Sequence, residues 1–60
     1  MPYEIETRDA GALVDLIPFS GSEEEAIAHA KGMVTPERVN FIRVIDVLSG
    51  LEIWSERRDA

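Results

Sequence analysis

Cysteine is absent from this sequence. That excludes a disulfide framework and any thiolate metal site, and it fits a reducing cytoplasm. A single histidine, His29, leaves no second imidazole for a four-ligand zinc set. No apolar run approaches the roughly 18 residues of a membrane helix, and the opening residues MPYEIE do not read as a signal peptide. Basic residues are scarce, six against twelve acids, for a net charge of −6. Phosphate-directed binding to nucleic acid is therefore not expected. The four glycines stand apart at positions 11, 21, 32 and 50, so neither a GxGxxG loop nor a P-loop is present.

The chain is also short. Sixty residues make one domain, residues 1–60, and a domain of this size buries only about 60% of the surface its unfolded chain exposes. Without disulfides or metals, core packing and oligomerisation are left to supply stability. The acid is unevenly placed. Residues 1–30 carry seven acids against Arg8 alone, while residues 31–60 balance five acids with five bases. This is the pattern of an acidic surface, or of a surface for a basic partner.

What is present concentrates between Val39 and Trp54, VNFIRVIDVLSGLEIW. Phe41, Ile42, Val44, Ile45 and Val47 suit a pleated, packed surface. Asp46 to Gly50 reads as a turn, with a four-residue loop, Val47 to Gly50, as the preferred form. That loop would pair Val44 with Ile53 and Ile42 with Ser55 under a helix. On the other face it would pair Ile45 with Glu52, Arg43 with Trp54 and Phe41 with Glu56. A guanidinium over the Trp54 ring would follow. A two-residue Ser49-Gly50 turn would instead pair Ile45 with Trp54.

Upstream, residues 3–8 alternate as a half-buried strand, Asp9-Ala10-Gly11-Ala12 reads as a hairpin turn, and residues 13–19 form a second strand, with pairings that follow if Ala10-Gly11 is a two-residue turn. Thr7 would oppose Val14, Ile5 would oppose Leu16, and Glu6 would face Asp15. Pro18 cannot donate to a ladder and belongs on an edge. Ser22 with Glu25 is a capping-box pattern for a helix over residues 23–34, whose Ala26, Ile27, Ala30, Met33 and Val34 would face the sheet. Thr35-Pro36 stops it; strands over 39–46 and 51–56 follow, and residues 56–60 read as a frayed charged tail.

The fold class is α+β, a ββαββ chain with one helix on one face of a four-stranded, mainly antiparallel sheet. Pro18 favours the order 2-1-3-4; the alternative, 1-2-3-4 with a parallel centre, would place Pro18 inside. One helix covers one face. The other would expose Phe41, Ile45, Trp54, Ile17 and Phe19 among Glu4, Glu6, Arg43 and Glu52. Such a patch predicts pairing of two chains.

Candidates for chemistry are few. His29 sits one turn after Glu25, a spacing open to two metal ligands or an oriented base, but equally to a solvated helix surface. Glu6 with Asp15 could be an acid/base pair or a charge-balanced sheet position. Glu23-Glu24-Glu25 reads as a helix N-terminus. Trp54 suits a stacking platform or, as is commoner, core or interface.

The segments MPYEI, DAG, SEEEAIAHA and IDVLSGLEIWS together resemble short stand-alone hypothetical proteins of alphaproteobacteria, of unknown function. The resemblance implies a cytoplasmic bacterial protein and carries over no activity and no site residues. The expected function is a non-enzymatic, self-associating protein-interaction module using Phe41, Arg43, Ile45, Trp54 and Ile17. Its expected partner is a second copy, as a homodimer, or an unidentified protein, with no nucleic acid, membrane, metal or cofactor. The alternative is a small-molecule binder or enzyme in a dimer cleft, with His29, Glu6 or Asp15 contributing. An acidic mimic of a nucleic-acid backbone is a third reading, against which the balanced C-terminal half speaks.

Overall fold

The computed structural model describes residues 2–58. Five elements follow in order: β1 (Tyr3–Asp9), β2 (Ala12–Phe19), α1 (Glu23–Gly32), β3 (Phe41–Asp46) and β4 (Glu52–Arg57). The sheet order is β2-β1-β3-β4 and every neighbouring pair is antiparallel. Pro18 thus lies on an edge strand, where its missing N–H costs no ladder bond.

Local chemistry explains the turns. Ala10 and Gly11 both have positive φ, 49° and 89°, and make the two-residue connection between Asp9 and Ala12. Positive φ at both central positions matches the right-handed twist of the flanking strands. At the second hairpin the four-residue loop is present. The Asp46 amide donates to the Leu51 carbonyl at 2.9 Å, and the Gly50 amide returns to the Asp46 carbonyl at 2.7 Å. The Asp46 carboxylate accepts from the Leu48 and Ser49 amides, and Gly50 takes φ 75°. At the helix start the Ser22 hydroxyl accepts from the Glu25 amide while Glu25 accepts from the Ser22 amide. The capping box is complete.

The core lies between α1 and the sheet. Ile5, Ala26, Ala30, Ile42 and Val44 are fully buried, and Tyr3, Ile17, Phe19, Met33, Ile53 and Trp54 pack around them. Alanines at 26 and 30 let the helix approach closely. The helix stops at Gly32 with Met33 as its cap, so Val34 is not on the buried stripe but 99% exposed. Val39 precedes β3 rather than opening it. It is nonetheless buried, with its amide bonded to the Pro36 carbonyl.

Two irregularities change which side chains share a face. In β2 the pairing runs Asp9 with Ala12 and Arg8 with Leu13, then slips past Val14, so that Thr7 meets Asp15, Glu6 meets Leu16 and Ile5 meets Ile17. In β4 the expected pair Ile45 with Glu52 holds. The ladder then slips past Ile53, so that Val44 meets Trp54, Arg43 meets Ser55, Ile42 meets Glu56 and Phe41 meets Arg57. One extra residue in a strand turns everything beyond it to the opposite face. The expected pairs Thr7–Val14, Ile5–Leu16, Val44–Ile53, Arg43–Trp54, Ile42–Ser55 and Phe41–Glu56 are replaced for this reason. Ile17, Phe19 and Trp54 turn to the helix side as well.

The C-terminal end is not frayed through Arg58. Its amide donates to the Asn40 carbonyl at 2.9 Å, and its guanidinium reaches across to the end of α1. There it donates to the carbonyls of Met33 (2.6 Å), Ala30 (2.9 Å) and Lys31 (3.2 Å). These carbonyls lie at the helix C-terminus, the negative end of its dipole, where the Ala30 oxygen also accepts from the Met33 amide at 3.3 Å. Residues 59–60 of the expected tail lie outside the described residues.

Candidate functional site: the open sheet face

The face away from α1 is a grid of twelve side chains. The strand pairings set three rows across the order β2-β1-β3-β4: Pro18, Glu4, Ile45 and Glu52; then Leu16, Glu6, Arg43 and Ser55; then Leu13, Arg8, Phe41 and Arg57. Alternation along β1 and β3, with the slips at Val14 in β2 and Ile53 in β4, puts them on one side.

Glu6 is its centre. One carboxylate oxygen accepts from Arg8 Nε at 2.6 Å and from Arg43 Nε at 2.8 Å. The Glu6 side chain is only 7% exposed, whereas the two arginines keep about a third of theirs. Arg43 also comes within 3.6 Å of Glu52. Hydrogen bonding from Arg8, reinforced by Arg43, holds the Glu6 carboxyl below its ordinary range although burial pulls the other way. The bond to Glu6 raises Arg43 in turn. A carboxylate pinned as an anion by two guanidiniums cannot serve as a proton donor near neutral pH.

Around this network lie apolar side chains. Leu13 and Leu16 are 53% and 42% exposed, and Phe41 and Ile45 are half-buried. At the end of the third row Arg8, Ala10, Gly11, Asn40, Phe41 and Arg57 line a cleft of about 310 Å³. Arg8 Nη1 is held to the Gly11 carbonyl at 2.7 Å, and the Asn40 side-chain oxygen accepts from the Ala10 amide at 3.2 Å. Among the described residues the lining offers guanidiniums, an amide and an aromatic ring. None of these described side chains is a usual general acid, general base or nucleophile.

The residues singled out from sequence divide between the two faces. Phe41, Arg43 and Ile45 share the open face. Trp54 pairs with Val44 and Ile17 with Ile5, and both pack against the core under the helix. Arg43 therefore binds Glu6 rather than covering the indole. Glu6 and Asp15 do not face one another. Asp15 opposes Thr7, and its carboxylate accepts from the Leu16 amide at 2.9 Å. Glu25 is engaged with Ser22, while the His29 ring sits 5.2 Å from that of Phe19.

Leu13, Leu16, Arg8 and Arg57 belong to the grid without having been named for it, whereas Glu4, Glu6 and Glu52 were expected on this face. The signal for the leucines is their spacing of three, which a regular strand cannot place on one face and a bulge can. Among the described residues no group of three or more His, Asp or Glu side chains could hold a metal ion. No described helix is long and apolar enough to cross a membrane. Comparison with known proteins assigns no family: no family model matches the chain, and no curated protein or solved structure matches it.

Proposed function

We propose that this chain is a non-enzymatic, self-associating protein-interaction module that docks through its open sheet face, in the cytoplasmic setting the resemblance implies. The observation that carries this is the charge of the grid. It holds Glu4, Glu6 and Glu52 against Arg8, Arg43 and Arg57 and is formally neutral, on a chain whose net charge is −6. The remaining surface repels a second copy; this face does not. Its leucines, Phe41 and Ile45 supply apolar area, and its buried ion-pair centre is already satisfied, so covering it strands no charge. The small-molecule alternative would use the Arg8–Phe41–Arg57 cleft, whose described lining does not include His29, Glu6 or Asp15, although Glu6 holds Arg8.

Sedimentation equilibrium from low to high micromolar concentration tests the reading. The expected result is a concentration-dependent dimer, weakened at least tenfold by Leu16→Glu, a position exposed enough for the single chain to accept the charge. A monomer throughout would remove the proposal.

A further inference from the structure

The order β2-β1-β3-β4 leaves β2 and β4 as the edges of the sheet. An edge strand is a template on which another extended chain can pair. β4 is six residues, EIWSER, of which Glu52, Glu56 and Arg57 are charged. β2 is longer and more apolar, ALVDLIPF, with Asp15 as its one charge. Leu13 and Leu16 stand 53% and 42% exposed on it. A segment so rich in apolar and β-branched residues and so poor in charge has the composition of a strand that recruits copies of itself. Asp15 and Pro18 are the residues that interrupt that composition.

The ladder fixes which backbone groups face outward. Successive residues of a strand turn their N–H and C=O alternately to one side and the other. The Val47 amide donates to the Pro2 carbonyl and the Asn40 amide to the Arg8 carbonyl, so the even-numbered residues of β1 turn to β3. Tyr3, Ile5 and Thr7 therefore turn to β2, where they meet Phe19, Ile17 and Asp15. Leu16 and Pro18, which alternate with these, direct their backbone away from the sheet. An added strand would look to these two positions for donors along this half of the edge, and it finds none. The Leu16 amide donates to the Asp15 carboxylate at 2.9 Å, and Pro18 has no N–H. Nearer the turn, Leu13 opposes Arg8 and also faces outward, but the slip past Val14 puts it out of step with Leu16.

Going beyond the open-face reading and independently of it, we infer that Asp15 and Pro18 guard the β2 edge, so that an extended strand from a second copy does not add to the sheet there. The bond on Leu16 is made within β2 itself and is in place before any other chain arrives. An incoming carbonyl would have to displace the Asp15 carboxylate and would then sit against its charge. At Pro18 it would meet ring methylenes in place of a donor. The outward carbonyls of Leu16 and Pro18 remain as acceptors, but an antiparallel pair exchanges bonds in both directions. Guarding this one edge is enough to stop open-ended growth. A file of sheets joined edge to edge uses both edges of every copy, whereas pairing through β4 alone closes at two copies.

Restoring the donors tests the guard. Asp15→Ala combined with Pro18→Ala returns both outward amides at positions that are exposed. This double variant, folded at the outset by circular dichroism, should on incubation at high micromolar concentration form thioflavin-positive assemblies larger than a dimer by sedimentation. The wild-type chain should form none. Asp15→Asn combined with Pro18→Ala loses the same charge but keeps a side-chain oxygen for the Leu16 amide, and it should assemble several-fold more slowly. Ser22→Ala, weakened at the helix cap and unaltered at the edge, should stay free of assemblies.

A second measurement reads the guard in the unassembled chain. Exchange of the Leu16 amide, corrected for the intrinsic rate of each sequence, should be about two- to tenfold faster in Asp15→Ala through the loss of one hydrogen bond. The Ile17 amide, which faces β1, should not change. Four results would overturn the inference: assemblies from the wild-type chain, none from the double alanine variant, an asparagine variant that keeps pace with it, or Leu16 exchange that is indifferent to Asp15. Assembly of Ser22→Ala would overturn it too, since general loosening and not an opened edge would then be the cause.

Discussion

Truncation of Arg58 to methionine should be among the most damaging single substitutions outside the core. The guanidinium donates to the Ala30, Lys31 and Met33 carbonyls, to the Thr35 hydroxyl at 3.3 Å and to the Glu56 carboxylate at 2.9 Å. It is 18% exposed. A hydrogen bond to a charged group contributes about 1.5–3 kcal/mol taken singly, but bonds that share one side chain do not add. Water can replace part of the set at the exposed edge. Loss of the charge at the helix C-terminus contributes a further ~0.3–1 kcal/mol. The total is about 2–3 kcal/mol, against a stability of roughly 3–9 kcal/mol for a chain of 60 residues. At about 4–8 °C per kcal/mol for a small domain, Tm should fall by about 10–20 °C. Thermal melts followed by circular dichroism measure this. Hydrogen exchange at the last turn of α1 should accelerate more than in β1. Arg58→Lys should recover less than half, since a point charge cannot span three carbonyls as the planar fork does. A Tm within about 4 °C of wild type would refute the clamp.

Three further predictions concern the same frame. Glu6 has a folded-state pKa below its unfolded value of 4.5. Its contribution is therefore complete above that value and is lost as pH falls through the lower, folded-state one. Denaturant titrations across pH 3 to 6 should show this acid limb flattened in Glu6→Gln, at a cost of about 1–2 kcal/mol near pH 7 because a neutral amide oxygen replaces the carboxylate between two guanidiniums. An unchanged limb would mean that another carboxylate governs acid unfolding. Ala10 holds φ 49° in a turn that glycine or asparagine fills more easily. Ala10→Asn should raise stability by about 0.5–1 kcal/mol, read from the urea midpoint. Ser22→Ala should cost about 1 kcal/mol through the lost capping box, visible as a lower Tm with the helix signal otherwise intact.

Much of the architecture was legible in the chain because its determinants are local. Ala10-Gly11, the Ser22–Glu25 cap, Pro18 and the Asp46–Gly50 loop each act within a few residues. Together they specify a ββαββ order with the second strand at an edge. The open face was only half legible. Strict alternation carried through residues 13–19 and 51–56 puts Ile17 and Trp54 outside, yet the slips at Val14 and Ile53 put them inside. Neither bulge has a glycine to announce it; the preference is tertiary. Each slip exchanges a position that would leave a large ring or branched chain in water for one packed on the core. Arg58 was illegible for a related reason, since its acceptors lie 25 to 28 residues away and nothing beside it in the chain hints at them.

The open face as the docking surface is tested most directly by amide chemical shifts across a dilution series of the wild-type chain. Progressive shifts confined to Glu4, Leu16, Phe41, Arg43 and Arg57, with Ala28, Lys31 and Val34 unmoved, are the predicted result. Shifts that cluster on the helix instead, or spectra identical at every concentration, would contradict it.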